Sequence, residues 1–260
     1  MRTMTKMLRA LIALTITAPF GASLAQNAAP PANTRMIVQV TQVRPGQAAA
    51  WRRLQQNEVL PALKRAGVTS RDVLETLFGD PNEFITLRPL DNFAEFDGQG
   101  LLQRVLGAQA GDALAAKLAD LTVSTERYII TRQGEFAVAL NGGPIRVTTT
   151  YRLQPGAGGG PAFADFLRAD VLPVIQQAKT AGRIAGWGVS ITNQGAEEQG
   201  LRLLTTYYPN LAALDAVVAA GGVPQATVGE AAAQTLNTKQ ARLVTAVRTV
   251  IRRRIAELSY

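Results

Sequence analysis

Apolar and polar positions along the chain follow two alternating rhythms. Short β-branched runs with partial period-two alternation lead into longer runs in which apolar side chains recur every three or four residues. Met36 to Val43 reads as a strand, and Arg44-Pro45-Gly46 turns it into a helix carrying Trp51, Leu54, Leu60 and Leu63. Pro61 inside that helix removes the donor for the Asn57 carbonyl and disfavours α geometry at Leu60, so a kink is expected there. After Ala66-Gly67, strands over Arg71 to Phe78 and Glu83 to Arg88 flank the turn Gly79-Asp80-Pro81-Asn82. Asp91 and Asn92 offer an N-cap to a short helix containing Phe93 and Phe96, continued by the alanine-rich Leu101 to Leu118. Val123 to Arg132 then completes a β-α-β-β-α-β order.

The order is written twice. Arg146 to Leu153, Trp187 to Thr192, Leu201 to Tyr208 and Thr245 to Ile255 read as strands, with helices over Phe163 to Lys179 and Asn210 to Leu243. Glu58-Val59-Leu60-Pro61 returns as Asp170-Val171-Leu172-Pro173. Matched residues lie 110 apart at Pro45/Pro155, 112 at Trp51/Phe163 and Glu58/Asp170, 115 at Gly67/Gly182, 118 at Asn92/Asn210, and 122 at Lys117/Lys239 and Arg132/Arg254. The spacing only grows, and it grows at loops, which is how a duplicated module with small insertions behaves. Each unit makes a four-stranded antiparallel sheet with helices on one face, and its other apolar face needs a cover. The expected fold is α+β, with two ferredoxin-like repeats packed sheet to sheet as an intrachain pseudo-dimeric α+β barrel. The repeats span residues 35–140 and 141–260.

The first residues follow a different pattern. Arg2, Lys6 and Arg9 precede an apolar run from Leu11 to Phe20 and the small residues Ser23-Leu24-Ala25, the signature of a secretory signal peptide over residues 1–25. The run is shorter than the ~20 residues that cross a bilayer, so no span is expected after cleavage. An Ala/Pro/Asn leader over 26–34 has nothing to bury and is expected to be disordered. The protein is thus expected in the periplasm or outside the cell. Without its signal, the formal charge of +8 falls by three to +5, too little to argue for nucleic acid.

These features are similar to the dimeric α+β barrel superfamily, which includes antibiotic-biosynthesis monooxygenase-like, stress-responsive barrel and NIPSNAP-like domains. Arg44-Pro45-Gly46, Leu60-Pro61, Gly79-Asp80-Pro81-Asn82-Glu83 and Leu90-Asp91-Asn92-Phe93-Ala94-Glu95-Phe96 carry the resemblance, the last two most like the NIPSNAP-like branch. It implies a barrel and no transferable catalytic set, because the histidine used by haem-handling members is missing.

Histidine and cysteine are both absent, which removes Ser-His-Asp and Cys-His catalysis, disulfides, and imidazole or thiolate metal sites. No cofactor is expected. Asp80, Glu83, Asp91, Glu95 and Asp97 read as turn, cap and helix-face residues, because their spacing does not match a calcium loop. Gly156-Ala157-Gly158-Gly159-Gly160 lacks phosphate-loop spacing and reads as a flexible turn. The candidate pocket is assembled from Glu126, Tyr128, Tyr151, Arg152, Trp187, Tyr207, Arg248 and Arg252, placed between the two sheets. Counting by two puts Glu126, Tyr128, Ile130 and Arg132 on one face, and Arg248, Val250, Arg252 and Arg254 on the matching one. That face points either to solvent at an edge or into the space between the sheets, where Arg248 and Arg252 would hold an anion. Two functional readings stand: a non-catalytic barrel, structural or binding a small apolar or anionic molecule, and a cofactor-independent oxygenase or isomerase with Glu126 as base. An interior filled with Leu, Val and Phe would count against the enzyme.

Overall fold

The computed structural model describes residues 32–140 and 142–260. The expected signal peptide and all but the end of the expected leader lie outside the described residues. Within that end, the Asn33 side chain accepts a hydrogen bond from the Gly134 amide at 2.9 Å, and the first strand already begins at Thr34.

The first half runs β1 (Thr34–Val43), α1 (Ala48–Leu54), a π-helical turn (Gln55–Val59), α2 (Leu60–Arg65), β2 (Asp72–Phe78) and β3 (Glu83–Pro89). A 3-10 turn (Phe93–Phe96), α3 (Leu101–Leu106), α4 (Ala108–Leu121) and β4 (Thr122–Arg132) complete it. The second half runs β5 (Ile145–Leu153), α5 (Gly159–Phe166), a π-helical turn (Leu167–Val171), α6 (Leu172–Thr180), β6 (Gly186–Thr192) and β7 (Arg202–Tyr208). It ends with α7 (Leu211–Ala219), α8 (Val223–Val228), α9 (Glu230–Leu243) and β8 (Val244–Arg254). All eight strands expected from the alternation are present.

The proline helices depart from expectation in one respect. Leu60 keeps α dihedrals (φ −60°, ψ −47°), and the distortion is taken up one turn earlier, where its amide reaches back to the Gln55 carbonyl. Leu172 bonds to Leu167 in the same way. A π turn absorbs a helix residue with one wider ring, so the missing donor of proline is accommodated without leaving helical space.

The strands form one closed antiparallel barrel in the order β1-β3-β2-β8-β5-β7-β6-β4. The two sheets expected to stack face to face are therefore also joined edge to edge. β2 meets β8 from Leu74↔Arg254 to Phe78↔Ile251, and β4 meets β6 over Ile130↔Thr192 to Arg132↔Ser190. Closure removes sheet edges along these joined stretches.

Alternation along each strand divides the core. Met36, Val38, Leu74, Ile85 and Ile130 point inward and pack with Leu87, Tyr128 and Leu203. Outside, the second half packs Phe163, Phe166, Leu167 and Ile175 of its helices against Trp187, Val189 and Tyr208 of its strands. The first half has a smaller outer cluster around Val43, Trp51, Val73 and Phe84, with the Trp51 and Phe84 rings 4.5 Å apart.

The β2–β8 junction is electrostatic. Asp72 accepts from Arg146 (2.9 Å) and Arg254 (2.7 Å), Glu83 sits 2.8 Å from Arg252 and 3.7 Å from Arg248, and Glu75 bridges Arg52 and Arg253. Burial alone would raise the Glu83 carboxyl, but the Arg252 contact, with help from the Thr76 hydroxyl and Arg248, holds it below the usual range. Asp72 is likewise held low against its burial by Arg146 and Arg254. The arginine row on β8 thus has carboxylate partners supplied by the other half of the chain.

Candidate functional site

The barrel interior brings together three of the eight expected pocket residues. Tyr128, Tyr207 and Arg252 line an inner cavity of about 80 Å3, along with Arg132, Arg146, Thr148 and Thr205. That space is about half of the ~150 Å3 cavity that encloses a benzene molecule. The small residues Gly188 and Ser190 on β6 open it, and Leu140 presses against Gly188 so closely that a Cβ there would lie 2.6 Å from Leu140 Cδ2. Arg146 is 4% exposed, stacks 5.0 Å from the Tyr207 ring centroid and is anchored by Asp72.

The other five lie elsewhere. Trp187 alternates with Gly188 and therefore sits in the outer core under the second-half helices, against which Tyr151 also packs. Arg152 is exposed and paired with Glu198. Glu126 is exposed and does not line the inner cavity, which removes the enclosure a general base acting there would need. Arg248 is half-exposed at the edge of the barrel, near Glu83. Arg252 is inside but already paired with Glu83, so the Arg248–Arg252 anion clamp has its carboxylate built in.

A larger cavity, about 330 Å3, lies on the opposite side of the first-half sheet, beneath α3 and α4. Sequence reasoning did not place a site there. Its floor comes from outward-facing strand positions Ile37 and Gln39 on β1, Thr86 and Arg88 on β3, and Arg127 on β4. Its walls are Val59 and Leu63 of the proline helix, Leu101 and Leu102 of α3, and Ala115 and Leu118 of α4. Gly111 lets α3 and α4 approach closely, since a Cβ on it would lie 2.6 Å from the Gln103 Cα.

The polar groups of this cavity are interlocked. Arg88 makes a two-armed ion pair with Glu95 at 3.0 and 2.6 Å, closing the end near the 3-10 turn. Arg127 donates through Nε to Gln39 Oε1 at 2.8 Å. Arg71 donates through Nη2 to Gln55 Oε1 at 2.6 Å, and both residues are 4% exposed. Nε and Nη1 of Arg71 are buried without a hydrogen-bond acceptor among the described residues. Burial pulls the Arg71 guanidinium down to about 10, partly offset by nearby Tyr260. Gln55 occupies the first position of the first π turn, where Leu167 stands in the second, and this polar-for-apolar exchange at spacing 112 is the sequence signal that points to the cavity.

The acidic residues, expected as turn, cap and helix-face groups, divide. Asp80 serves its turn, accepting from the Asn82 amide at 2.9 Å, the 3-10 turn at Phe93–Phe96 has no side-chain cap, and Glu83 and Glu95 form ion pairs with arginines instead. Among the described residues no group of three or more His, Cys, Asp or Glu is arranged to hold a metal ion. The cavity lining offers amides, guanidiniums, the Thr86 hydroxyl and one arginine-bound carboxylate, and no imidazole, thiolate, thioether or phenol, so its donor set does not fit axial ligation of haem iron.

By sequence, the chain matches no protein-family model and no curated protein. By structure it is similar to a presumed monooxygenase from Fusobacterium nucleatum (TM-score 0.55, 10% identity, 86% of this chain and 93% of that one). It is also similar to a presumed monooxygenase from Lactobacillus acidophilus (0.52, 8%, 85% and 94%) and to an anthrone oxidase-like protein (0.51, 10%, 85% and 91%). At these identities the likeness is one of fold, a closed α+β barrel.

Proposed function

We propose that the protein is an exported small-molecule-binding α+β barrel made of two ferredoxin-like repeats, and that its ligand occupies the cavity beneath α3 and α4. The observation that carries this reading is the cavity: about 330 Å3, apolar-walled, with Gln39, Gln55, Arg71, Arg88 and Arg127 converging on it. The inner cavity is too small for an organic ligand and is built of groups that serve the barrel itself. The tandem reading is supported by strand order, β4-β1-β3-β2 in one half and β8-β5-β7-β6 in the other. Paired contacts support it too: Glu58 meets Lys117 at 2.8 Å, and Asp170 meets Lys239 at 2.6 Å. The Gly79–Glu83 turn and the 3-10 turn after it support a place near the NIPSNAP-like branch. Export rests on the first 25 residues, and mass spectrometry of protein recovered from the envelope fraction, beginning at Gln26, would establish it.

Filling the cavity is the direct test. Ala115→Trp is expected to abolish the thermal stabilisation given by any ligand found in a screen, with the unliganded fold retained. Stabilisation that survives the tryptophan places the ligand elsewhere.

A second reading, a cofactor-independent oxygenase, is favoured by the kinship of fold with the presumed monooxygenases and the anthrone oxidase-like protein. Guanidiniums over an apolar cavity suit stabilisation of an enolate or phenolate that reacts directly with oxygen. Anthrone is the probe: one O2 taken up for each anthraquinone and water formed, faster with the protein than without it, and slowed by Ala115→Trp. Oxygen uptake equal to the uncatalysed rate would leave the binding reading alone.

A further inference from the structure

The charges around the outer cavity do not balance. Four arginines line it, Arg71, Arg88, Arg104 and Arg127, against a single carboxylate, Glu95. Glu95 is consumed by Arg88 through both oxygens. Neither Arg71 nor Arg127 takes part in an ion pair among the described residues, and their side-chain partners are the neutral amides Gln55 and Gln39. Amide oxygens orient a guanidinium without neutralising it. At the β2–β8 junction the molecule does the reverse, since Arg146, Arg252, Arg253 and Arg254 all have carboxylates.

We infer that the outer cavity takes an organic anion, a carboxylate on an apolar body, with Arg127 binding the carboxylate and Arg71 supplying uncompensated positive charge from below. This rests on the binding reading above and specifies its ligand. Arg127 is exposed, and Nε is the only one of its nitrogens engaged by a side chain among the described residues, which leaves the terminal pair for a two-armed grip on a carboxylate. Arg71 is enclosed and acts through its field: a charge taken out of water without a counterion is costly, and an anion nearby recovers part of that cost. The body of the ligand meets Leu101, Leu102, Leu118 and Val59. One ligand per chain is expected, because the matching space in the second half is filled by Phe163, Phe166, Leu167 and Tyr208.

The test compares 1-naphthoate with 1-naphthamide, which share shape and differ in charge, by calorimetric titration at fixed ionic strength. The carboxylate should bind at least tenfold more tightly, at one per chain, and the advantage should shrink with added salt because Arg127 is at the surface. Arg127→Gln should cut the ratio of naphthoate to naphthamide affinity below threefold, with Arg127→Lys intermediate; thermal unfolding checks that both variants fold, and if the glutamine variant does not, the lysine variant decides. Equal affinities for the two probes in the unmodified protein, or an undiminished ratio in the folded variant, would overturn the anion inference and leave the binding reading intact. Failure of both probes to bind up to millimolar concentration, with Ala115→Trp making no difference, would bring down the binding reading and this inference with it.

Discussion

The two halves of the chain put the same frame to opposite uses. Both carry a strand, a helix interrupted by a π turn before Leu-Pro, and an ion pair from that turn to the long helix, Glu58–Lys117 in one and Asp170–Lys239 in the other. In the second half the space between helices and sheet is packed with Phe163, Phe166, Leu167, Trp187 and Tyr208. In the first, a smaller cluster around Trp51 and Phe84 fills only part of it, and the rest is a cavity edged by amides and arginines. Register makes the exchange explicit. Val38 pairs with Tyr128 and Thr148 with Val250, so Gln39 and Arg127 stand where Thr149 and Thr249 stand in the other half. The first pair is a charged, donor-rich contact at 2.8 Å, and the second is a hydroxyl contact at 3.0 Å. One half thus supplies more of the apolar burial of the barrel, which lets the other leave a cavity.

Exchanging the residues that differ should break the division. Leu167→Gln places an amide among apolar side chains with no partner, and should cost about 3 kcal/mol of unfolding free energy in urea titrations. The reciprocal Gln55→Leu removes the acceptor of Arg71 Nη2 from a buried guanidinium and should cost about 1–3 kcal/mol. If both cost the same and neither changes ligand binding, the division of labour is wrong.

The junctions between the halves differ as well, and acid should separate them. β2–β8 is held by Asp72, Glu75 and Glu83 against arginines, while β4–β6 pairs Ile130 to Arg132 with Ser190 to Thr192 without an ion pair among the described residues. Asp72 and Glu83 have folded-state pKa values below their unfolded ones. Their contribution is therefore complete above the ordinary carboxylate range, about pH 4, and is lost as pH falls through the lower folded values. The urea midpoint should decline from about pH 5 downward, and amide exchange should open at Leu74–Thr76 before Ile130–Arg132. Simultaneous opening of both junctions would show that the charges do not hold the first one.

Much of this was legible in the residues, for identifiable reasons. Alternation between turn residues located all eight strands, and the growing spacing between matched positions aligned the halves, because differences in length fall at loops where the fold tolerates them. Inward and outward faces were harder: Trp187 and Tyr151 look like pocket walls, yet both strand faces are buried in this fold and aromatic character alone does not choose between them. The informative neighbours were the small ones, Gly188 and Ser190, which mark the cramped interior face. Glu126 looked like a base because its strand position was known and its exposure was not. The outer cavity escaped notice because it consists of differences between the halves, Gln55 against Leu167 and Arg127 against Thr249, whereas the sequence was read for likeness between them. The closed junctions were not readable from either half, since β2 and β8 are complementary only when acid on one and arginine on the other are set side by side.

The smallest expected effect concerns what the halves share. Lys117 and Glu58 lie on the surface, with side chains 55% and 42% exposed, and Lys239 and Asp170 are 51% and 27% exposed. Water screens such pairs and holding two long side chains costs entropy, so each should be worth less than about 1 kcal/mol. Lys117→Ala and Lys239→Ala should therefore shift the urea midpoint only slightly, with the second the larger because Asp170 is the less exposed carboxylate. Their effects should add in the double variant, since the pairs share no partner. A marked excess in the double variant would mean that the halves are coupled through their helix layers, and that the hollow side is braced by the filled side through the helices as well as through the barrel.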